Sequence, residues 1–144
     1  MINDRADVAA MVGAAGVHVG WHDLPPHAAR EIVGPDAWVG VSTHNPDELA
    51  RALACAPDYV GFGPIWETSS KSGLCDAQGL SALHRVRRVA GPVPVVAIGG
   101  ITTTQRAADA IRAGAAAVAV ISAVSAAADM RAAVRDLVHA LGIS

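Results

Sequence analysis

Asp58 to Gly73, DYVGFGPIWETSSKSG, runs from a short apolar stretch, Tyr59-Val60-Gly61-Phe62, through Gly63-Pro64 into a loop of small polar residues that holds Thr68, Ser69, Ser70 and Lys71. A short apolar run bounded by turn formers has the length of a buried strand. Polar residues and one cation placed just past the carboxyl end of a strand are how α/β enzymes of the parallel-sheet kind hold phosphorylated ligands. The stretch therefore points to a parallel α/β fold with its site on the carboxyl rim of the strands.

Similar runs recur on both sides. Gly16 to Gly20, Ala37 to Val41, Asp58 to Phe62, Val93 to Ile98 and Ala116 to Ile121 are each predicted as buried strands, because a sheet covered on both faces needs apolar runs. Between them the pattern predicts helices. Asn45-Pro46-Asp47-Glu48 has a capping residue, a proline at the first helical position and two acids in the first turn, ahead of Leu49, Leu53 and Ala56. Further helices are predicted over Asp4 to Ala15, Pro26 to Val33, Gln78 to Ala90, Thr103 to Ala113 and Ala126 to Leu141, with Gly34, Gly91, Gly114 and Gly142 as their stops. In the last of these, Met130, Val134, Leu137, Val138 and Leu141 share one face, a pattern of core packing.

Strict alternation of strand and helix implies right-handed crossovers and a parallel sheet in one domain spanning residues 1–144. Five strand-helix units make about five-eighths of a (β/α)₈ barrel. The expected fold is an incomplete barrel that lacks its first strands, with open sheet edges that favour self-association. A doubly wound sheet is the alternative, but Gly16-Val17-His18-Val19-Gly20 has the character of a strand rather than of a glycine-rich dinucleotide turn.

Composition narrows the function. The 144 residues are 52% hydrophobic but only 3% aromatic, so the interior is built from Ala, Val, Leu and Ile. A net charge of −2 gives no electrostatic case for nucleic acid or an anionic membrane. The opening MINDRADVAAMV lacks the apolar core of a secretory signal, and no run approaches the roughly 18 apolar residues of a membrane span. Cys55 and Cys75 have no partner motif and are expected as free thiols, in keeping with a cytoplasmic protein.

The candidate chemistry lies at the strand ends. Gly99-Gly100 in VVAIGGI, and Ile121-Ser122 one unit later, place small residues where backbone N–H groups of successive loops can cradle a phosphate. Taken alone, Gly99-Gly100 is better read as a tight turn, and it is the succession of two such strand ends that favours phosphate. Asp23 follows another strand, and Asp4 would follow an earlier strand that the chain does not contain; such carboxylates can hold Mg²⁺ beside a diphosphate. Each also has a plain structural reading: Asp4 as a helix cap, Asp23 as a turn residue and Ser42 as a cap near Asn45. His44 can move protons, or be a solvated loop residue. Lys71 can neutralise a phosphate, or simply decorate the surface. His18, Trp21 and His22 have no spacing partner, and no zinc pattern is present.

INDRADVA, GVHVGWHDLP, VGVSTHNPDELA, DYVGFGPIWETSSK, VAIGGIT and GAAAVAVISA, in this order, resemble thiamine phosphate synthase and its relative, the TenI-type thiazole tautomerase. The resemblance implies a barrel transferase that joins hydroxymethylpyrimidine diphosphate to thiazole phosphate and releases diphosphate. It implies Asp4 and Asp23 as Mg²⁺ ligands, with Asn3 beside the diphosphate. Ser42, Thr68, Ser70 and Lys71 would contact substrate, Lys71 and Ser42 taking part in the chemistry, while Gly100, Ile121 and Ser122, next to the Gly99 read above, would cradle the thiazole phosphate. Met1 corresponds to the end of the family's third strand, so the basic segment on the earlier strands has no counterpart. Glu67 stands where a proline is common and is more like the tautomerase branch, in which a histidine at the place of His44 moves protons. A catalytically incomplete module that binds thiazole phosphate is the third reading.

Overall fold

The computed structural model describes residues 1–68 and 76–142, which fall into two compact units. The first comprises residues 1–61 and 90–94, the second residues 62–89 and 95–144. The elements in chain order are β1 (Ile2–Asn3), α1 (Ala6–Met11), β2 (Gly16–Val19), α2 (Pro26–Val33), β3 (Trp38–Thr43), α3 (Pro46–Ala54), β4 (Tyr59–Phe62), α4 (Gly79–Ala90), β5 (Val95–Ile98), α5 (Thr104–Arg112), β6 (Ala117–Ala119), α6 (Ser122–Ser125) and α7 (Met130–Ala140). The strand order is β1-β2-β3-β4-β5-β6, and the β1–β2, β2–β3 and β5–β6 pairings are parallel. A doubly wound sheet reverses its order at a switch point; this succession never does, so the winding is that of a (β/α)₈ barrel, represented by six strands among the described residues.

In the first unit the strands alternate. Val17, Val19, Val39, Val41 and Val60 are buried with Leu49 and Ala52 of α3, Ala29 of α2 and Ala6 and Ala9 of α1. Burying each of the larger side chains is worth about 1.5–3 kcal/mol. Between the valines stand Gly16, His18, Gly40 and Ser42, which the pleat directs to the opposite face. The helix starts follow local rules. Asn45 Oδ1 accepts from the Glu48 backbone N–H, with Pro46 in the first turn, as the sequence predicts. At the other end of the unit's register, Arg30 Nη2 donates to Asp58 Oδ2 at 2.5 Å and the Val39 N–H donates to the same oxygen at 2.7 Å, which ties the start of β4 to β3.

In the second unit Leu83 and Val86 of α4, Val95 and Ala97 of β5, Ala107 and Ala110 of α5, and Leu137 of α7 form the core with Phe62 and Ile65. Small alanines on α5 let the helix lie close against β6.

Several expectations change. Ile2–Asn3 pairs with β2, so the strand that Asp4 follows is within the chain after all. The helix expected over Ala126 to Leu141, a range that the short α6 precedes, is α7, which starts only at Met130 because Asp129 Oδ1 caps it by accepting from the Ala132 N–H. Its apolar stripe is not core: Met130 is 57% and Val134 44% exposed, since α7 rests on α5 and α6 and that contact covers Leu137 alone among the stripe's helical residues. The leading helix is shorter than Asp4 to Ala15 and begins at Ala6. Gly34, Gly91, Gly114 and Gly142 all follow helix ends with positive φ, the conformation that stops a helix.

Candidate active site

The strand ends of the first unit carry the candidate diphosphate side. Asn3 pairs in register with His18, and Asp4 comes next with its N–H donating to the His18 carbonyl at 2.8 Å. Asp4 is exposed and has φ of 63°, a left-handed conformation uncommon outside glycine and characteristic of constrained functional positions. It is not the helix cap, because Arg5 occupies that position. Asp23 follows the neighbouring strand β2. Its Oδ2 accepts from the Gly20 N–H at 2.7 Å, and its own N–H returns to the Gly20 carbonyl at 3.3 Å, so the turn reading of Asp23 holds for one oxygen. These two exposed carboxylates stand at the ends of adjacent strands; among the described residues no group of three or more His, Cys, Asp or Glu gathers as a metal cage.

Ser42 lies within β3 rather than at a cap, and its Oγ is 2.9 Å from His18 Nε2. The other ring nitrogen of His18 is 2.9 Å from Tyr59 Oη. Burial holds the Tyr59 phenol above its ordinary value, so it remains a proton carrier at neutral pH. His44 is neither loose nor fully solvated: its Nδ1 and its backbone N both lie 2.8 Å from Glu48 Oε2. His18 and Tyr59 are the residues that sequence spacing missed, since their partners lie 24 and 41 positions away and meet only through strand register. Trp21, also without a spacing partner, lies under the Arg51 guanidinium at 3.9 Å from its ring centroid.

The second unit carries the candidate phosphate cradle. Past β5, Gly99 and Gly100 have φ of 88° and 68°. A Cβ on Gly99 would fall 2.6 Å from Pro64 Cα, and one on Gly100 would fall 2.6 Å from the Trp66 carbonyl oxygen. The pair is thus more than a turn: it lets the segment after β4 pack directly on the end of β5, where the Ile65 and Trp66 N–H groups donate to the Ile98 and Gly99 carbonyls. Thr68 follows on that strapped segment; Ser70 and Lys71 lie outside the described residues, as does Cys75. Arg106 of α5, a cation that sequence spacing did not single out, donates to the Gly100 carbonyl at 2.7 Å and lies 5.2 Å over Trp66. Beyond the parallel neighbour β6, Ile121 and Ser122 are exposed and open α6.

Residues 1–124 match the family model for thiamine monophosphate synthase. The chain belongs to that family. It is 52% identical over 133 residues to the thiamine-phosphate synthase of Anaeromyxobacter dehalogenans, covering 92% of this chain and 59% of that protein. The Chlorobium limicola thiamine-phosphate synthase is 45% identical, with 98% of this chain and 66% of the relative covered. A thiamine phosphate pyrophosphorylase structure from Pyrococcus furiosus superposes with a TM-score of 0.86 at 35% identity, over 97% of this chain and 65% of that one. The chain therefore spans about three-fifths to two-thirds of the length of these family members. No helix among the described residues is long and apolar enough to cross a membrane.

Proposed function

We propose that the chain carries the substrate-binding and catalytic rim of a thiamine phosphate synthase, acting as one domain in the cytoplasm on small phosphorylated substrates. The observation that carries this reading is the pair Asp4 and Asp23, exposed at the ends of the adjacent strands β1 and β2, with Asp4 held in a left-handed conformation that its helix cap does not require.

The donor set fits Mg²⁺. That ion is bound by one or two carboxylates plus water and substrate phosphate rather than by an all-protein cage, and Asp23 has one oxygen beyond the Gly20 bond to give. Bound there, Mg²⁺ would supply positive charge to a diphosphate. In the reaction the bond from the pyrimidine CH₂ to the diphosphate breaks, the diphosphate keeps the electron pair, and the thiazole nitrogen's lone pair forms the new C–N bond. Lys71 neutralises the leaving diphosphate, with Thr68 and Ser70 binding beside it and Asn3 near its oxygens; preorganised charge of this kind is the main source of rate in such transfers. Ser42 orients the pyrimidine diphosphate. Gly99, Gly100, Ile121 and Ser122 present backbone N–H groups to the thiazole phosphate.

A second reading, isomerisation of a thiazole phosphate through His44, is favoured by the His44–Glu48 pair, since a carboxylate on Nδ1 fixes the tautomer of a proton-moving imidazole. Diphosphate release assayed with both substrates decides between them. The synthase reading expects Mg²⁺-dependent release that is lost in Lys71→Ala and Asp23→Asn and kept in His44→Ala. Isomerase activity abolished by His44→Ala but not by Asp23→Asn would replace it. Thiazole phosphate binding with neither activity would leave the third reading, a binding module. The reading includes homo-association through β1 and β6, the outer strands in the order of the described residues.

A further inference from the structure

Three groups on three strands form a hydrogen-bonded chain on the polar face of the first unit. His18 of β2 lies between Tyr59 of β4 and Ser42 of β3, with Nδ1 2.9 Å from Tyr59 Oη and Nε2 2.9 Å from Ser42 Oγ. The imidazole also stacks on the phenol ring, centroids 5.5 Å apart and planes 26° from parallel. Glycines make the space for this. A Cβ on Gly40 would lie 2.1 Å from Tyr59 Cζ, and one on Gly61 would touch His18 Cε1 at 3.4 Å. Any larger residue at position 40 would expel the tyrosine ring.

A neutral imidazole has one donor and one acceptor nitrogen, whereas each hydroxyl neighbour can play either part. Relative acidity selects between the two arrangements. The phenol is the stronger acid, and its oxygen lone pair is partly delocalised into the ring, so it donates well and accepts poorly. The aliphatic hydroxyl of Ser42 is the weaker donor and better acceptor. The favoured pattern has Tyr59 O–H donating to Nδ1 and Nε2–H donating to Ser42 Oγ. With that lone pair engaged, the Ser42 proton points away from His18. The reverse pattern would consume the Ser42 proton on Nε2 and leave Oγ as an acceptor only.

We propose that His18 is a positioning residue: held as the Nε2–H tautomer by Tyr59, it turns Ser42 into a donor toward a hydrogen-bond-accepting atom of the pyrimidine diphosphate. This assignment of substrate rests on the synthase reading, while the tautomer stands independently of it.

Long-range ¹H–¹⁵N NMR of the full chain with labelled histidine tests the tautomer without any activity. The expected spectrum shows a protonated Nε2 and an unprotonated Nδ1 for His18, and Tyr59→Phe shifts both toward a mixed population. A protonated Nδ1 in the wild-type chain overturns the proposal. In the diphosphate-release assay, His18→Gln, which places an amide donor near the Nε2 position, is expected to keep kcat within about threefold, whereas His18→Asn loses about tenfold, the scale of one well-placed hydrogen bond. In a Ser42→Ala background neither change has further effect on kcat, because the residues act as one unit. Losses that multiply in the double variants overturn the positioning role. A chain with the expected tautomer but no diphosphate release under any condition overturns the synthase reading, not the hydrogen-bond assignment.

Discussion

His44 Nδ1 lies 2.8 Å from Glu48 Oε2, so an imidazole closes the capping box of α3. Glu48 Oε1 also accepts from Asn45 Nδ2 at 2.8 Å, and its N–H donates to Asn45 Oδ1 at 2.9 Å. Burial pushes the Glu48 carboxyl up, but hydrogen bonds from the His44 ring and backbone and from Asn45 outweigh it, and the net value is lowered from the ordinary 4.5. A carboxyl lowered on folding stabilises above its unfolded value, and that contribution is lost as pH falls through the folded one. Glu48→Gln is therefore expected to cost about 1 kcal/mol at pH 7. The difference from wild type should shrink in urea titrations below the ordinary 4.5. An equal deficit at pH 7 and at pH 3 would assign the loss to packing rather than to charge.

Asp58 is the joint between β3 and β4 and makes a second acid-sensitive site. Burial again raises its carboxyl, and the Val39 N–H and the Arg30 guanidinium together bring it below the ordinary 3.8. Its stabilisation is complete above that value and fades as pH falls beneath it. With its side chain 38% exposed and that of Arg30 29% exposed, the ion pair itself is worth little in water; the backbone bond to Val39 matters more. Asp58→Asn, which keeps an acceptor for Val39, is expected to cost under about 1 kcal/mol, and Asp58→Ala about 1–3 kcal/mol. Chemical denaturation of the two variants checks the order.

What sequence could show here follows from how far each determinant reaches along the chain. The Asn45 cap and the glycines past four helix ends act within a few residues, and they stand where the pattern places them. The break before α7 was also local: Asp129 is a capping residue, but an alanine-rich run on its amino side continued the helical period and masked it. His18 is different in kind. In a run of glycine and valine it has the look of an isolated core histidine, and its function as a bridge exists only once β2, β3 and β4 are in register. The Arg106 contact with Gly100 likewise depends on how α5 starts relative to the end of β5.

Gly100→Ala should separate the cradle from an ordinary turn. The added Cβ would meet the carbonyl oxygens of Trp66 at 2.6 Å and Glu67 at 2.7 Å, both backbone atoms that cannot swing aside, at a φ of 68°. Left-handed backbone alone costs an L-residue about 1–2 kcal/mol. The variant is expected to be destabilised by at least that amount in denaturant, and to bind inorganic phosphate at least tenfold more weakly in calorimetric titration. Full phosphate affinity in a folded variant would remove Gly100 from the cradle.

Asp23 separates metal binding from turn geometry because its roles need different atoms. Oδ2 closes the turn by accepting from Gly20, which an amide oxygen can also do; holding a cation requires the charge. Asp23→Asn is accordingly expected to melt within a few degrees of wild type while its Mg²⁺ affinity, titrated in the presence of inorganic diphosphate, falls at least tenfold. Asp23→Ala should lose the same affinity and, in addition, about 1 kcal/mol of stability from the unsatisfied turn. Asp4→Asn should match Asp23→Asn in affinity, since Asp4 stands at the end of the adjoining strand. Unchanged Mg²⁺ binding in Asp23→Asn would show that this carboxylate serves the turn and not the metal. Equal stability of the Asn and Ala variants would show instead that the Gly20 bond contributes nothing in solution.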